Sequence, residues 1–484
     1  MPFWDREPFP KIVNNEHFDF VDPGPLHSPI KSFKLRRTEK FALTLETVCG
    51  KEAVVSEFLR DDRVIGEPNQ RAEIRSIGGL TVRLMGVIPE TIRTRESYRR
   101  DIAELRETAH VFGIEAEFAK KSDAAFTIDW LENLRDYYHW PVVVMDEDDI
   151  AFKRAYGRGP NAVVLADKNG EHSSRSAALK LTVAGIEFQL TTNRPKEQTE
   201  QIRPGYILYR GTPDEETRRK IRTVLSFTLG MYLVYLGHST YGADSQLQSF
   251  RAIRSYSMDM RAFDLHVLPP AWLGAKSHNV LDTAKVSRLA SALYAHYDEL
   301  DFGNLSWGYW HAMCAPLHIK AVHFGAIIEA LQRNYLTGHT SEFSEKVIGN
   351  SVKWDAVVKA ANTVLDDVDM TDDQKALLRG NIGRLNQIPR SIVTDRLLQR
   401  LGLVLSEDEM QAWKRRHDAA HGNPMTTGLE RDVVRDSHLM RVIFNRMILR
   451  IVDGNDHYYD YAAQPSPTYQ IRNLRDPVQQ TGKA

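Results

Sequence analysis

Trp413-Lys414-Arg415-Arg416-His417-Asp418-Ala419-Ala420-His421-Gly422-Asn423-Pro424 reads as the end of one helix and the turn that stops it. The helix begins after Ser406, an N-cap residue whose partner Glu409 stands at the capping-box spacing. Glu407 and Asp408 in the first turn, and Lys414 to Arg416 near the end, suit the helix dipole. Ala419 and Ala420 prolong it, Gly422 has the place of a C′ residue, and Pro424 blocks continuation. Thr427 and Glu430 repeat the capping-box spacing and open the next helix. Arg416 therefore sits roughly one turn before His421 at a helix end. Over five residues a straight helix rotates by about 140° (modulo a turn), so the two side chains converge only if the helix stops at His421 and Arg416 reaches along the axis. Such a pair suits a phosphate: Arg supplies a planar fork of donors that stays charged, and His gives or takes a proton near neutral pH.

Outward from this stretch the chain reads helical from Asp282 to about residue 453, because apolar residues recur at three- and four-residue spacing. The segments are 282–299, 309–336, 341–367, 372–386, 391–403, 406–421 and 428–452. The last has Val433, Val434, Leu439, Val442, Ile443, Met447, Leu449 and Ile451 on a broad face. Arg431, Arg435, Arg441, Arg446 and Arg450 fall on the rest, either as a solvated face paired with Glu430, Asp432 and Asp436 or as a rim that guides RNA.

The front half has a different period. Phe41 to Val48 alternates as a strand, Ala72 to Ile77 and Leu80 to Val87 flank Gly78-Gly79, and Leu179 to Val183 and Ile186 to Thr191 flank Ala184-Gly185. Val111 to Phe118, Val142 to Met145 and Gly205 to Arg210 add strands, with a short helix expected over Asp129 to Tyr138. The fold class expected is α+β: a β-sandwich-like domain over 39–211, a scaffold or sensor, followed by an all-α bundle over 282–460. Residues 1–38 read as an extended arm, 212–281 as a linking helix with short strands, and 461–484 as a flexible tail. In the linking segment Thr212, Pro213 and Glu215 open a helix that Gly237 ends, and Ser239 to Ala243 and Ser249 to Ser257 form a strand pair.

The chain has 484 residues and a formal net charge of -1, so no global field draws it to nucleic acid. Two cysteines, Cys49 and Cys314, fit a reducing cytosol rather than a disulfide framework. No signal peptide is read at the start, and the longest apolar stretch, Val224 to Leu236, is too short to span a bilayer. A cytoplasmic protein without a membrane partner is expected. Gly157-Arg158-Gly159 lacks the Lys-Ser/Thr of a P-loop, and neither a nucleophile elbow nor a kinase signature occurs.

Arg416, four intervening residues and His421 resemble the Arg-x4–6-His motif of HEPN-domain ribonucleases, which often carry Asn where this chain has His417. The order of a β-rich front half and a helical back half is similar to that of ApeA-type abortive-infection proteins. The resemblance implies a HEPN-like bundle and a metal-independent endoribonuclease of antiphage defence, a cytosolic toxin quiet until a phage-derived trigger arrives. The substrate implied is RNA such as tRNA, and the partner a second copy joined through the HEPN-like domain. No cofactor or metal is called for, since RNA carries its own nucleophile in the 2′-OH. Arg416 and His421 are the catalytic candidates, with His417, Arg415 and Glu329 supporting. Glu329 is placed to orient Arg416 across the bundle or to be an ordinary surface carboxylate. A non-catalytic module that holds a nucleotide or RNA phosphate is the alternative. A rival site, His311, Cys314 and His318 on one helix face, has ligand chemistry for zinc but contains Pro316.

Overall fold

The computed structural model describes residues 18–38, 42–55, 70–76, 79–97, 102–117, 123–134, 140–156, 163–192, 205–243, 246–254, 265, 267–275, 280–340, 346–420, 428–463 and 466–471. The chain divides into two compact units, Met1–Pro269 with Leu273–Ser291, and Pro270–Trp272 with Ala292–Ala484. The architecture is α+β, with antiparallel sheets in the first unit and helices dominating the second.

The first unit holds a four-stranded sheet in the order β2 (His27–Arg37), β3 (Leu43–Val55), β7 (Ile102–Val111), β6 (Ile88–Ser97). Beside it lies an eleven-stranded sheet. Its order begins β1 (Phe18–Asp22), β4 (Arg71–Ser76), β5 (Thr81–Met85), β8 (Gly113–Glu117) and β15 (Leu247–Ile253). It continues β14 (Val234–Gly242), β9 (Ala124–Glu132), β13 (Gly205–Arg210), β12 (Ile186–Thr192), β11 (Val163–Val183) and β10 (Val142–Tyr156). Alternation does the layering: in β2, Phe33, Leu35 and Arg37 are buried while Lys34 and Arg36 face water. Leu35, Leu45 and Val111 of the small sheet share one core with Ile74, Val82, Leu84 and Ile114 of the large one, so this end is a sandwich. The expected hairpin at Ala184-Gly185 is present: Val183 pairs with Ile186, and φ is +53° and +77° at the two turn residues, the signs a type I′ turn needs.

Five expectations fail here. Residues 18–22 and 27–37 of the supposed arm are strands. The supposed helix over Asp129 to Tyr138 begins inside β9, which pairs on both sides with β13 and β14; sheet pairing overrides the local signal. The supposed link 212–281 contributes α1 (Glu215–Leu229), β14 and β15 to the first unit. The β14–β15 pair itself was expected and is formed. The N-cap of α1 is Asp214, not Thr212, because the Asp214 carboxylate accepts the Thr217 N–H at 2.7 Å. That bond holds the Asp214 carboxyl below the usual range. The helix ends at Gly230, φ +69°, seven residues before Gly237, because a left-handed glycine closes it. Arg218 and Arg222 on α1, both buried, bracket the Asp129 carboxylate of β9 and hold Glu215 at 2.6 and 2.7 Å. Arg222 also lies over the Tyr235 ring at 3.8 Å, and the Tyr235 hydroxyl is 2.7 Å from Nδ1 of His238. Burial, reinforced by Arg218, pushes the His238 imidazole down to about 3, so it stays neutral.

The second unit is built on α3 (Phe302–Cys314), α4 (Leu317–Gly338), α7 (Arg390–Leu401), α8 (Glu407–Ala420) and α9 (Glu430–Val452). Tyr309 packs its ring at 5.2 to 5.8 Å from Trp310, Phe324 and Phe444, and Leu439, Val442, Ile443, Met447 and Leu449 of α9 are buried as the periodicity predicts. The single helix expected over 309–336 is two helices, because Pro316 breaks it and holds Ala315 extended. His311 and Cys314 are therefore on α3 and His318 on α4, and the shared helix face that suggested zinc does not exist. His311 instead packs on Trp307 with ring centres 3.7 Å apart. Among the described residues no helix is long and apolar enough to cross a membrane.

The α9 arginines form no solvated row. Arg446 is buried and holds Glu409 at 2.8 and 3.0 Å. Arg441, also buried, donates to the Tyr309 hydroxyl at 2.8 Å and stacks on Tyr461 at 3.6 Å. Arg435 reaches Asp408 on α8, and Arg450 donates to the Leu401 carbonyl at 2.9 Å.

Candidate active site

α8 positions the candidate residues. Its capping box is formed as the sequence predicts: the Ser406 N–H donates to Glu409 Oε2 at 2.7 Å and the Glu409 N–H to Ser406 Oγ at 3.2 Å. Glu409 thus has two jobs, because the same carboxylate receives Arg446 from α9. Ala412, fully buried, sets the inward face of the helix. From there Arg415 turns toward α9 and Arg416 toward α4.

Arg415 donates from Nε and Nη2 to the two oxygens of Asp436, at 2.7 and 2.5 Å. This bidentate bond raises the Arg415 pKa further. Arg416 is held on three sides. Its Nη1 donates to the Trp413 carbonyl at 2.6 Å and its Nη2 to Glu329 Oε1 of α4. Its Cζ lies 3.4 Å from the centre of the Trp413 ring. A third side is the backbone of Gly325: a Cβ there would stand 2.5 Å from Cδ and 2.7 Å from Nε of Arg416. Burial lowers the Arg416 pKa, and the Glu329 carboxylate opposes that effect.

Exposure around the pair is one-sided. Arg416 is 7% exposed, whereas the Glu329 side chain is 54% exposed. The guanidinium is walled by Trp413 and Gly325, and its Nη2 edge is taken by the more exposed Glu329 carboxylate. Of its five N–H donors, the two bonds above occupy two, both within the described residues.

The structure therefore brings Arg416 and Glu329 together and sets Arg415 apart, its guanidinium bound to Asp436 of α9. His421 and residues 422–427, Thr427 among them, lie outside the described residues, as does the side chain of His417 on α8. α9 starts at Glu430 with Leu429 as its cap residue, and the Glu430 carboxylate accepts the Gly428 N–H at 3.2 Å.

Sequence reasoning missed Trp413, Gly325 and Asp436. Trp413 carries a usable signal, since it stands three residues before Arg416 and so shares its face. Gly325 carries a weaker one: a glycine inside a helix costs about 1 kcal/mol relative to alanine and asks for a packing reason. Asp436 gives none, because its partner is 21 residues away on another helix. No family model, no curated protein and no solved structure matches the chain.

Proposed function

We propose that the chain is a metal-independent endoribonuclease working at Arg416 and His421, of the HEPN kind that its Arg-x4-His spacing resembles. The observation that carries this reading is the mounting of Arg416. A guanidinium stacked on Trp413, seated over Gly325 and tied to the half-exposed Glu329 side chain is fixed before any substrate arrives. Positive charge held in place in a largely dry setting is what the crowded phosphate of a cleavage transition state requires.

RNA cleavage needs a base for the 2′-OH proton, an acid for the leaving 5′ oxygen and charge for the phosphate oxygens. Arg416 provides the charge and His421, just past the C-terminal end of α8, the proton transfer. The 2′ oxygen forms its bond to phosphorus as the P–O5′ bond breaks, which leaves a 2′,3′-cyclic phosphate and a 5′-hydroxyl. Glu329 acts as a positioning residue for Arg416, and Arg415, engaged by Asp436, braces α8 against α9. One histidine supplies only one of the two proton transfers, so a twofold pair of chains sharing a cleft, or His417 within one chain, completes the set. The biological role that fits is antiphage abortive infection in the cytosol, with cellular RNA such as tRNA as substrate and a phage-derived signal as trigger.

The test is incubation of the purified chain with total RNA in EDTA. Cleavage with cyclic-phosphate ends, abolished by Arg416→Ala and His421→Ala while DNA survives, supports the proposal. RNA binding without cleavage in the presence of extract from phage-infected cells overturns it in favour of a binding module.

A further inference from the structure

The hairpin of α5 (Ser351–Asp367) and α6 (Asp372–Arg384) is the least buried part of the second unit: no residue of either helix is buried. Its base is tied by Asn386, which accepts the Ile348 N–H at 2.7 Å and donates to the Ile348 carbonyl at 3.1 Å. Its tip is closed by the capping box of Thr371 and Gln374 and by an ion pair between Arg379 and Asp366. The two helices meet along a seam of half-buried residues, Trp354, Val358, Ala361 and Leu365 on α5 and Ile382 on α6.

Beside that seam each helix leaves apolar residues uncovered. Along α5 and its C-cap they are Val357, Val364 and Val368, at i, i+7 and i+11, and along α6 and its C-cap Leu377, Leu378 and Leu385; Val352 of α5, 75% exposed, falls on the opposite side. Val364 is 62% exposed, Leu377 71% and Leu385 70%. At about 100° per residue, each set lies on the lower-angle side of its own seam. The helices run in opposite directions, so these two sides coincide and the residues make one face. Exposed aliphatic side chains clustered on one side of a helical pair mark an interaction surface rather than scattered surface leucines.

Charge tells what covers it. Along the edge of this face Lys353 and Arg384 stand near the base of the hairpin, and Asp367 and Asp373 near the tip. The tip also carries Asp366, Asp369 and Asp372. We infer that the face is the contact with a second copy of this chain, the two hairpins laid tip to base about a twofold axis to make a four-helix bundle. In that arrangement the basic base of each hairpin meets the acidic tip of the other, and the apolar faces close on each other. The tip-to-tip arrangement opposes acid to acid and is disfavoured by the same charges. The inference does not depend on the ribonuclease reading, since the hairpin shares no residue with the Arg416 site.

The experiment is sedimentation equilibrium of the full chain at tens of micromolar. The native chain is expected to dimerise, and Val364→Gln with Leu377→Gln to weaken the dimer at least tenfold with an unchanged circular dichroism spectrum, because both positions are exposed. Two charge-reversed chains then test the orientation. A chain with Lys353→Glu and Arg384→Glu, and one with Asp367→Lys and Asp373→Lys, should each lose self-association by about tenfold or more, and their mixture should form a heterodimer. A native chain that stays monomeric overturns the inference and leaves the face to a different protein. A dimer indifferent to the glutamine pair overturns it too, and a mixture that fails to associate overturns the tip-to-base pairing.

Discussion

Replacing Gly325 by alanine separates the mounting of Arg416 from the stability of the bundle. The added Cβ would stand 2.5 Å from Arg416 Cδ. An ordinary carbon contact is about 3.5–4.0 Å, so the arginine must move by about 1 Å or more. It cannot do so freely, because Trp413 lies 3.4 Å away on one side and Glu329 holds Nη2 on another. If Arg416 stabilises charge as proposed, misplacing it by about 1 Å should cost cleavage on the order of 100-fold. Stability should barely change. Alanine gains about 1 kcal/mol over glycine in a helix, and the disturbed stack and half-exposed ion pair lose about 1 kcal/mol in return. With Arg416→Ala already present the obstacle is gone, and Gly325→Ala should then stabilise by about 1 kcal/mol. The assays are single-turnover RNA cleavage in EDTA and urea unfolding followed by circular dichroism. Undiminished cleavage by Gly325→Ala refutes the reasoning. So does equal destabilisation in both backgrounds, which would place the clash at another neighbour such as Met440, whose Cε is 3.6 Å from the added atom.

Two further perturbations act away from that contact. Glu409→Gln keeps the capping box, because glutamine serves at that position, but leaves the buried Arg446 without its countercharge. It should cost about 3–5 kcal/mol in urea unfolding, against about 1 kcal/mol for Ser406→Ala; equal costs would show that only the cap matters. In the first unit the His238 pKa is pushed down to about 3 by burial and by Arg218, whereas the unfolded chain takes up that proton near 6.5. The stability it contributes is therefore complete above about pH 6.5 and falls at up to about 1.4 kcal/mol per pH unit as the pH drops toward 3. His238→Gln should lose about 2 kcal/mol less than the native chain between pH 7 and pH 5, and an identical loss in both would contradict the assignment.

What was legible in the sequence is what local chemistry governs. The start of α8 after Ser406, the turn at Ala184-Gly185 and the apolar face of α9 follow from caps, turn residues and period, and all are found. Assignments that depend on distant partners were out of reach. β14 lies between β9 and β15, so its place is set by a strand more than 100 residues earlier, and a reading by segments makes it part of a link. Buried arginines mislead for the same reason: Arg218, Arg222, Arg441 and Arg446 look like surface charge until their carboxylates and tyrosines arrive from elsewhere. At the candidate site Arg416 could be read and Glu329 could be named as a partner across the bundle, while the helix end expected at His421 and Gly422 lies outside the described residues. The stack on Trp413 was open to reading from its i, i+3 spacing, whereas the clearance at Gly325 depends on which way the Arg416 side chain turns toward another helix.

On the proposed ribonuclease reading, the fate of those arginines limits how RNA would be held. Arg441 and Arg446 are 6% and 2% exposed, and Arg415 and Arg435 are paired with Asp436 and Asp408. Of the α9 arginines that could have formed a rim for RNA, Arg441 and Arg446 are spent inside the protein while Arg431 and Arg435 stay exposed, on a chain whose net charge is -1. Each phosphate neutralised on a single strand contributes about −0.7 to the slope of log affinity against log salt. If Arg416 and one or two neighbours do the neutralising, the slope should lie near −1 to −2 rather than the steep values of an extended basic groove. Arg416 is already engaged by Glu329, so a phosphate must displace or share that carboxylate. Glu329→Gln should accordingly tighten RNA binding even as it loosens the aim of Arg416 and slows cleavage. Fluorescence anisotropy of a labelled RNA with the non-cleaving His421→Ala chain measures both effects. A slope steeper than about −4, or weaker binding after Glu329→Gln, would mean that the strand is held by a surface other than the one around Arg416.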